Sequence, residues 1–211
     1  MKTIFLVRHG ESDANIGTHY SDETAPLTAK GRQQAAYIAE RVSRLPVDAL
    51  LSSTMGRARE TAGYISDMIG KSIEFTDLVV ERKYPTSLVG LARGSQEGNR
   101  VWNDWTASCF SDTPRVEDGE NFEDLKSRAL SLLSLLEKRP ENNILIVTHG
   151  SFSKFICAGA IYGVELSPDH TKDLFGGLRI NYTGLSVLHH DPTDTRKTWW
   201  VSVWNDHAHL G

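Results

Sequence analysis

Two stretches of the chain repeat one design. Ile4-Phe5-Leu6-Val7 runs into Arg8-His9-Gly10, and Ile144-Leu145-Ile146-Val147 runs into Thr148-His149-Gly150. Each is an unbroken apolar run, one polar residue, then His-Gly. Such a run without alternation reads as a strand buried on both faces, the mark of a parallel sheet covered by helices. Sheets of this kind present polar residues at the carboxyl ends of their strands, where ligands bind. If the two strands are neighbours, both histidines arrive at one place. Each glycine lets the backbone turn sharply and lets a ligand come close.

The remainder of the chain supports that sheet. Residues 49–51, 73–80, 185–188 and 199–204 read as further strands. Helical spacing appears over 28–44, where Ala35, Ile38, Ala39 and Val42 share a face behind Thr28 as N-cap. It recurs over 56–69, stopped by Gly70, over 121–138 with Leu125, Ala129, Leu132, Leu133 and Leu136, and over 151–162. The order β-α-β-α-β, insertion, α-β-α-β-β predicts an α/β fold, a three-layer α/β/α sandwich around a mainly parallel central sheet. A length of 211 residues suits one domain with an insertion.

That insertion covers about 83–118. It breaks the alternation with Pro85, Gly90, Gly94, Gly98 and Pro114 around an amphipathic piece from Val101 to Trp105. Long inserts in compact domains are usually functional, so it reads as a lid or pocket wall. Lys83 and Tyr84 are placed at the substrate, with Trp102, Trp105 and Phe110 as apolar surface. For the two tryptophans, packing of the insert onto the body is an equal alternative. His19 and Tyr20 fall in the loop after the first His-Gly and are placed near the pocket mouth.

Arginines follow the same geography. Arg8 precedes His9, and Arg57 and Arg59 open the helix after the 49–53 run. Arginine binds phosphate through a rigid fork of donors and stays charged at any physiological pH. Arg57, nearer the helix start, is the candidate, and Arg59 suits a solvated helix face. Ser12 and Ser151 lie near helix starts, where free N–H groups favour anions. Histidine and arginine together at several strand ends point to a phosphate pocket.

A net charge of −4 argues against general nucleic-acid binding. No apolar run approaches the roughly 18 residues of a membrane span. The amino terminus is too short in apolar residues for a secretory signal. The expectation is a cytoplasmic protein without nucleic-acid or membrane partners. Cys109 and Cys157 form no zinc spacing and read as reduced thiols. His207-Ala208-His209 reads as a polar tail and His189-His190 as a strand end. No metal and no cofactor are expected, and the chain leaves a homodimer open.

Several ordered motifs now resemble those of the histidine phosphatase superfamily, the phosphoglycerate mutase-like family. Leu6-Val7-Arg8-His9-Gly10-Glu11-Ser12 resembles its LVRHGE-(S/T) signature, followed by a matching Asn15. Leu27-Thr28 with Gly31 resembles its helix entry, and the run from Ser52 to Ala62 resembles the segment that carries its arginine, here Arg57. Glu81-Arg82, Val147-Thr148-His149-Gly150 and the tail Asn205-Asp206-x-Ala208-His209-Leu210 also match. The family usually shows a Gly-x-Trp-Glu-Gly-like run where this chain has 83–90, a departure that bears on substrate.

The resemblance implies a phosphomonoester hydrolase of the small phosphatase branch acting on a small phosphorylated metabolite. His9 would be the nucleophile. Arg8, Arg57 and His149 would bind the phosphoryl oxygens, and Glu81 would be general acid and base. Asn15 and Gly150 would contact the phosphate or the substrate. A carboxylate at 81 has a plainer alternative, pairing with Arg82 or Lys83. A phosphoglycerate-type mutase using the same phosphohistidine is the nearest other reading. Mutases of the family resemble longer chains, and an end at Gly211 is expected to leave water an easier route. A non-catalytic phospho-ligand binding domain is the third.

Overall fold

The computed structural model describes residues 1–211. Its strands are β1 (Lys2–Arg8), β2 (Ala49–Ser52), β3 (Ile73–Phe75), β4 (Asn143–Thr148), β5 (Leu185–His190) and β6 (Trp199–Asp206). Its helices are α1 (Asp13–Ile16), α2 (Ala29–Val42), α3 (Gly56–Ile69), α4 (Gln96–Ser108), α5 (Phe122–Lys138), α6 (Gly150–Tyr162) and α7 (Pro168–Gly177). The strands form one sheet in the order β3-β2-β4-β1-β5-β6. The pairs β2–β3, β2–β4 and β1–β4 are parallel, and β5 runs antiparallel to both β1 and β6. The mainly parallel three-layer arrangement expected from the alternation is what forms.

Strand residues of alternate parity feed two cores, because successive side chains leave a strand on opposite faces. Ile4, Leu6, Leu51, Ile144 and Ile146 pack beneath α5 and α6 with Leu125, Ala129, Phe152 and Ile156. Phe5, Val7, Leu50, Leu145 and Val147 pack beneath α2 and α3 with Ile38, Val42, Ala58 and Ile65. Both faces of β1 and β4 are therefore buried, which is why their sequences are continuously apolar.

Local signals set the helix ends. Thr28 accepts from the N–H of Gly31 at the start of α2, and Gly70 closes α3 with φ 66°. Asn121 and Asp124 form a reciprocal capping box on α5. Three expectations change. The strand read over 73–80 ends at Phe75, since the Thr76 side chain accepts from Leu78 N–H and turns Asp77–Val79 into a 3-10 turn. Helix α7, capped by Ser167 with Pro168 in its first turn, and the single turn α1 add to the elements expected from apolar spacing. The insert holds a capped 13-residue helix, α4, and Trp105 within it is fully buried against the α5–α6 core.

Candidate active site

The register Arg8↔Thr148 between β1 and β4 places their carboxyl ends level. His9 and His149 are the next residues along. Their rings lie 4.9 Å apart between centroids, tilted by 60°. Strand β2, on the other side of β4, delivers Ser53 beside Val147 through a 3.0 Å N–H···O bond. Three adjacent strand ends thus bring His9, His149 and Ser53 together.

His9 is 2% exposed. Its Nδ1 lies 2.6 Å from the carbonyl of Gly10. A carbonyl only accepts, so Nδ1 carries the proton and Nε2 keeps the lone pair. Arg57, the second residue of α3, donates its Nε–H to that Nε2 at 3.2 Å. Burial, then Arg57, then Arg8 push the His9 pKa well below that of an ordinary histidine. His149 is pushed the same way, by burial first and Arg57 next. Its Nε2 lies 2.8 Å from Ser53 Oγ, and its Nδ1 is buried with no partner.

Arg8 enters from the end of β1. Its Nη1 donates to the Ile180 carbonyl at 2.6 Å, its guanidinium lies 4.1 Å over the Tyr182 ring, and its Nε has no partner. Burial lowers its pKa, opposed chiefly by Tyr182 and Glu81. Gly150 gives this side chain room, since a Cβ there would sit 3.2 Å from Arg8 Nε and press it aside by a few tenths of an ångström. Gly10 answers to packing instead: a Cβ would lie 2.5 Å from the Gly31 carbonyl, so two backbones meet where a ligand was expected.

Glu81 does not pair with Arg82 or Lys83 through its side chain. Its Oε1 accepts from the N–H groups of Arg82 and Phe152, both at 3.0 Å, and its Oε2 accepts from Ser151 N–H at 3.1 Å. It sits on the positive end of α6, beside His149. Ser151 therefore contributes a backbone donor.

The cleft comprises two adjoining cavities of about 220 and 370 Å³. Ala14, Glu81, Arg82 and Tyr84 line both. Arg57, Met55 and Lys83 face the smaller, and Arg8, Asn15 and Gly150 the larger. Asn15 accepts from Ser12 Oγ at 2.7 Å, so its side-chain amide orientation is set within the loop. Burial raises the Tyr84 pKa.

Other expected residues lie elsewhere. Arg59 stacks at 4.0 Å on Phe75, outside the cleft. Phe110 packs on Phe175 with centroids 4.9 Å apart, so it supplies core and no pocket surface. Trp102 and Trp105 both border the larger cavity while packing on each other at 5.3 Å. Tyr20 is buried, stacked on Trp102, and does not face the mouth; His19 is exposed and borders neither cavity. His209 bonds Thr183 Oγ1 at 3.0 Å, and burial, then Arg41, lower its pKa to about 4. No three His, Cys, Asp or Glu side chains gather as a metal site, and no helix is long and apolar enough to cross a membrane. Sequence reasoning passed over Ser53, Arg82, Arg93, Lys154, Arg179 and Tyr182. Only a Ser-Ser at a strand end and an Arg beside Glu81 offered any signal for them.

Comparison with known proteins gives a consistent result. A model of the histidine phosphatase superfamily (branch 1) matches residues 4–207. A probable phosphoglycerate mutase, GpmB, from Enterobacter sp. (strain 638) is 33% identical over 161 residues, covering 71% of this chain and 70% of that protein. Among solved structures, YhfR of Bacillus stearothermophilus superposes with a TM-score of 0.83 at 25% identity over the full length of both chains. A mycobacterial glucosyl-3-phosphoglycerate phosphatase superposes with a TM-score of 0.78 at 19% identity, covering 98% of this chain and 100% of that one.

Proposed function

The chain belongs to branch 1 of the histidine phosphatase superfamily, and on that premise we propose that it is a cofactor-independent phosphomonoester hydrolase working through a phosphohistidine. One observation carries the reading: His9 holds its proton on Nδ1 and presents a lone pair at Nε2 inside a cradle of Arg57, Arg8 and His149. A neutral imidazole fixed in this way is a nucleophile ready at neutral pH.

The Nε2 lone pair attacks phosphorus as the P–O bond to the leaving alcohol breaks. The phosphoryl oxygens displace the Arg57–His9 contact and take the guanidinium donors of Arg57 and Arg8. Charge stabilisation by fixed cations carries most of the catalysis in phosphoryl transfer. Ser53 Oγ accepts from Met55 N–H at 3.2 Å, and in this reading it gives its own proton to the bond with His149 Nε2. The His149 proton then sits on Nδ1 as a further donor to the phosphoryl group. Glu81 Oε2, which accepts only one N–H, has the capacity to hold the proton that the alkoxide takes. The same oxygen then removes a proton from water, the water attacks phosphorus, and the P–N bond to His9 breaks.

The metabolite is small enough for the cleft, with Asn15, Lys83, Tyr84 and Gly150 at its walls. Two free, buried cysteines suit a reducing cytoplasm. The test is turnover of p-nitrophenyl phosphate together with acid-quench trapping of labelled enzyme. An acid-labile, base-stable label on His9 with release of inorganic phosphate supports the reading; no label overturns it. The GpmB relative raises phosphoryl return to the substrate as the other outcome. Interconversion of 3- and 2-phosphoglycerate without phosphate release would establish it.

A further inference from the structure

Glu81 stands on a stretch of chain without a ladder. After the 3-10 turn Asp77–Val79, residues 80–85 form neither helix nor strand. Val79 and Val80 are buried, and backbone polar groups buried in such a stretch need side-chain partners. The Val79 carbonyl accepts from the Thr148 hydroxyl at 2.7 Å. The carbonyls around it converge on one residue of α5. Arg128 donates Nη1 to Val80 at 2.8 Å and to Leu78 at 3.3 Å, and Nη2 to Glu81 at 3.4 Å.

The rest of this guanidinium goes to Glu120, Nε to Oε1 and Nη2 to Oε2, both at 2.8 Å. All five N–H donors of the guanidinium thus have acceptors. Glu120 turns back on the same stretch. Its Oε2 accepts from Lys83 N–H at 2.9 Å, and its own N–H donates to the Lys83 carbonyl at 3.1 Å. The two side chains are only 11% and 14% exposed. An ion pair so deeply placed gains little net stability, because desolvation offsets the attraction. What a rigid fork of donors supplies is position.

Arg128 also meets the other end of the Glu81 anchorage. Its guanidinium lies 3.6 Å over the Phe152 ring, and Phe152 N–H is one of the donors to the Glu81 carboxylate. One side chain therefore registers the main chain that carries Glu81 against the helix start that receives its carboxylate. Neither Arg128 nor Glu120 lines the two cavities of the cleft, so any influence on the reaction passes through other residues.

We propose that Arg128 and Glu120 are positioning residues for the general acid, a brace that sets the reach of Glu81 Oε2 to the leaving oxygen. This rests on the hydrolase reading and on Glu81 as its acid.

The leaving group provides the test, with phosphoenzyme formation followed by single-turnover acid quench. Arg128→Lys keeps the charge and loses the fork. Ethyl phosphate releases an alkoxide that must be protonated. On it the variant should be about 10- to 100-fold slower, since a displacement of about 1 Å costs up to about 10²-fold. The nitrophenolate burst from p-nitrophenyl phosphate should keep its wild-type rate, because that group leaves without a proton. In Glu81→Gln, which has no proton to place, adding Arg128→Lys should slow ethyl phosphate no further. A brace that only supports the fold would not show that coupling. Glu120→Gln keeps an acceptor for Lys83 N–H and should give the same pattern, so it decides the question if Arg128→Lys does not fold. Equal slowing of both substrates, or the same loss with and without the Glu81 carboxylate, overturns the positioning role and leaves the hydrolase reading standing. No phosphoenzyme from either substrate in the wild type overturns the hydrolase reading and the positioning role with it.

Discussion

The Nε–H of Arg57 points at Nε2 of His9 across 3.2 Å, while the other ring nitrogen of His9 is 2.6 Å from a carbonyl. Together the two contacts select the tautomer and leave Nε2 as the atom we propose to react. They also explain why a histidine can be almost fully buried here without charging.

Removal of that atom is the first test. His9→Ala should abolish the acid-labile phosphoenzyme and lower turnover of p-nitrophenyl phosphate by several orders of magnitude, on the order of 10⁶-fold for loss of a covalent nucleophile. Wild-type turnover in this variant would rule out the phosphohistidine route.

The lowered pKa values of His9 and His149 predict a pH dependence of stability. In the unfolded chain both bind a proton near pH 6.5, and in the folded chain they do so only at much lower pH. The unfolded state therefore holds more protons on the acid side. Stability should be flat above about pH 6.5 and should fall as pH drops below it. Thermal melts at a series of pH values check this, and His149→Gln should have a shallower acid slope. For activity, the limb of kcat/KM that reports His9 should lie well below pH 6.5.

Glu81 is tested with two variants, because it both faces the cleft and caps α6. Glu81→Gln keeps an acceptor for the helix and loses the proton donor. Glu81→Ala loses both and should cost about 1 kcal/mol more in unfolding free energy, as for a lost cap. Both should lower kcat/KM on an alkyl phosphate by about 10²–10⁴-fold. On p-nitrophenyl phosphate, whose leaving group needs no proton, a burst of nitrophenolate near one equivalent per site should precede a slow phase. Equal slowing of both substrates without a burst would give Glu81 a purely positional role.

Gly150→Ala separates geometry from fold. The new Cβ would stand 3.2 Å from Arg8 Nε and 3.4 Å from its Cζ, against a side chain pinned to the Ile180 carbonyl. The guanidinium must shift by a few tenths of an ångström. Misplacement of about 1 Å costs about 10²-fold, so a loss of roughly tenfold in kcat/KM is expected. The melting temperature should barely move.

In the proposed mechanism phosphate charge is met by arginines fixed on strand and helix ends. Incubation with EDTA should leave the rate on p-nitrophenyl phosphate unchanged. A strict requirement for Mg²⁺ or Zn²⁺ would reassign the charge-neutralising role.

The layered sheet, its two histidine-bearing strand ends and Arg57 were legible in the chain alone. Their signals are local: a strand buried on both faces must be continuously apolar, and a capped amphipathic helix shows its period and its stop within some fifteen residues. The contents of the cleft were less legible. Arg93 comes from the insert, Lys154 from the middle of α6 and Arg179 from just beyond α7, and no spacing relates them. Tyr20, Trp105 and Tyr182, which hold arginines, look in sequence like ordinary aromatic residues. Glu81 read as an acid beside two cations, but two of its three partners are backbone N–H groups 70 and 71 residues away, and the third is the backbone N–H of Arg82. By itself the sequence determined the central strands, the long amphipathic helices and which end of the sheet carries chemistry, because period and capping act over neighbouring residues. Only the tertiary structure decided which charges share the cleft and which are left unpaired, because that depends on where distant segments of the chain come to rest.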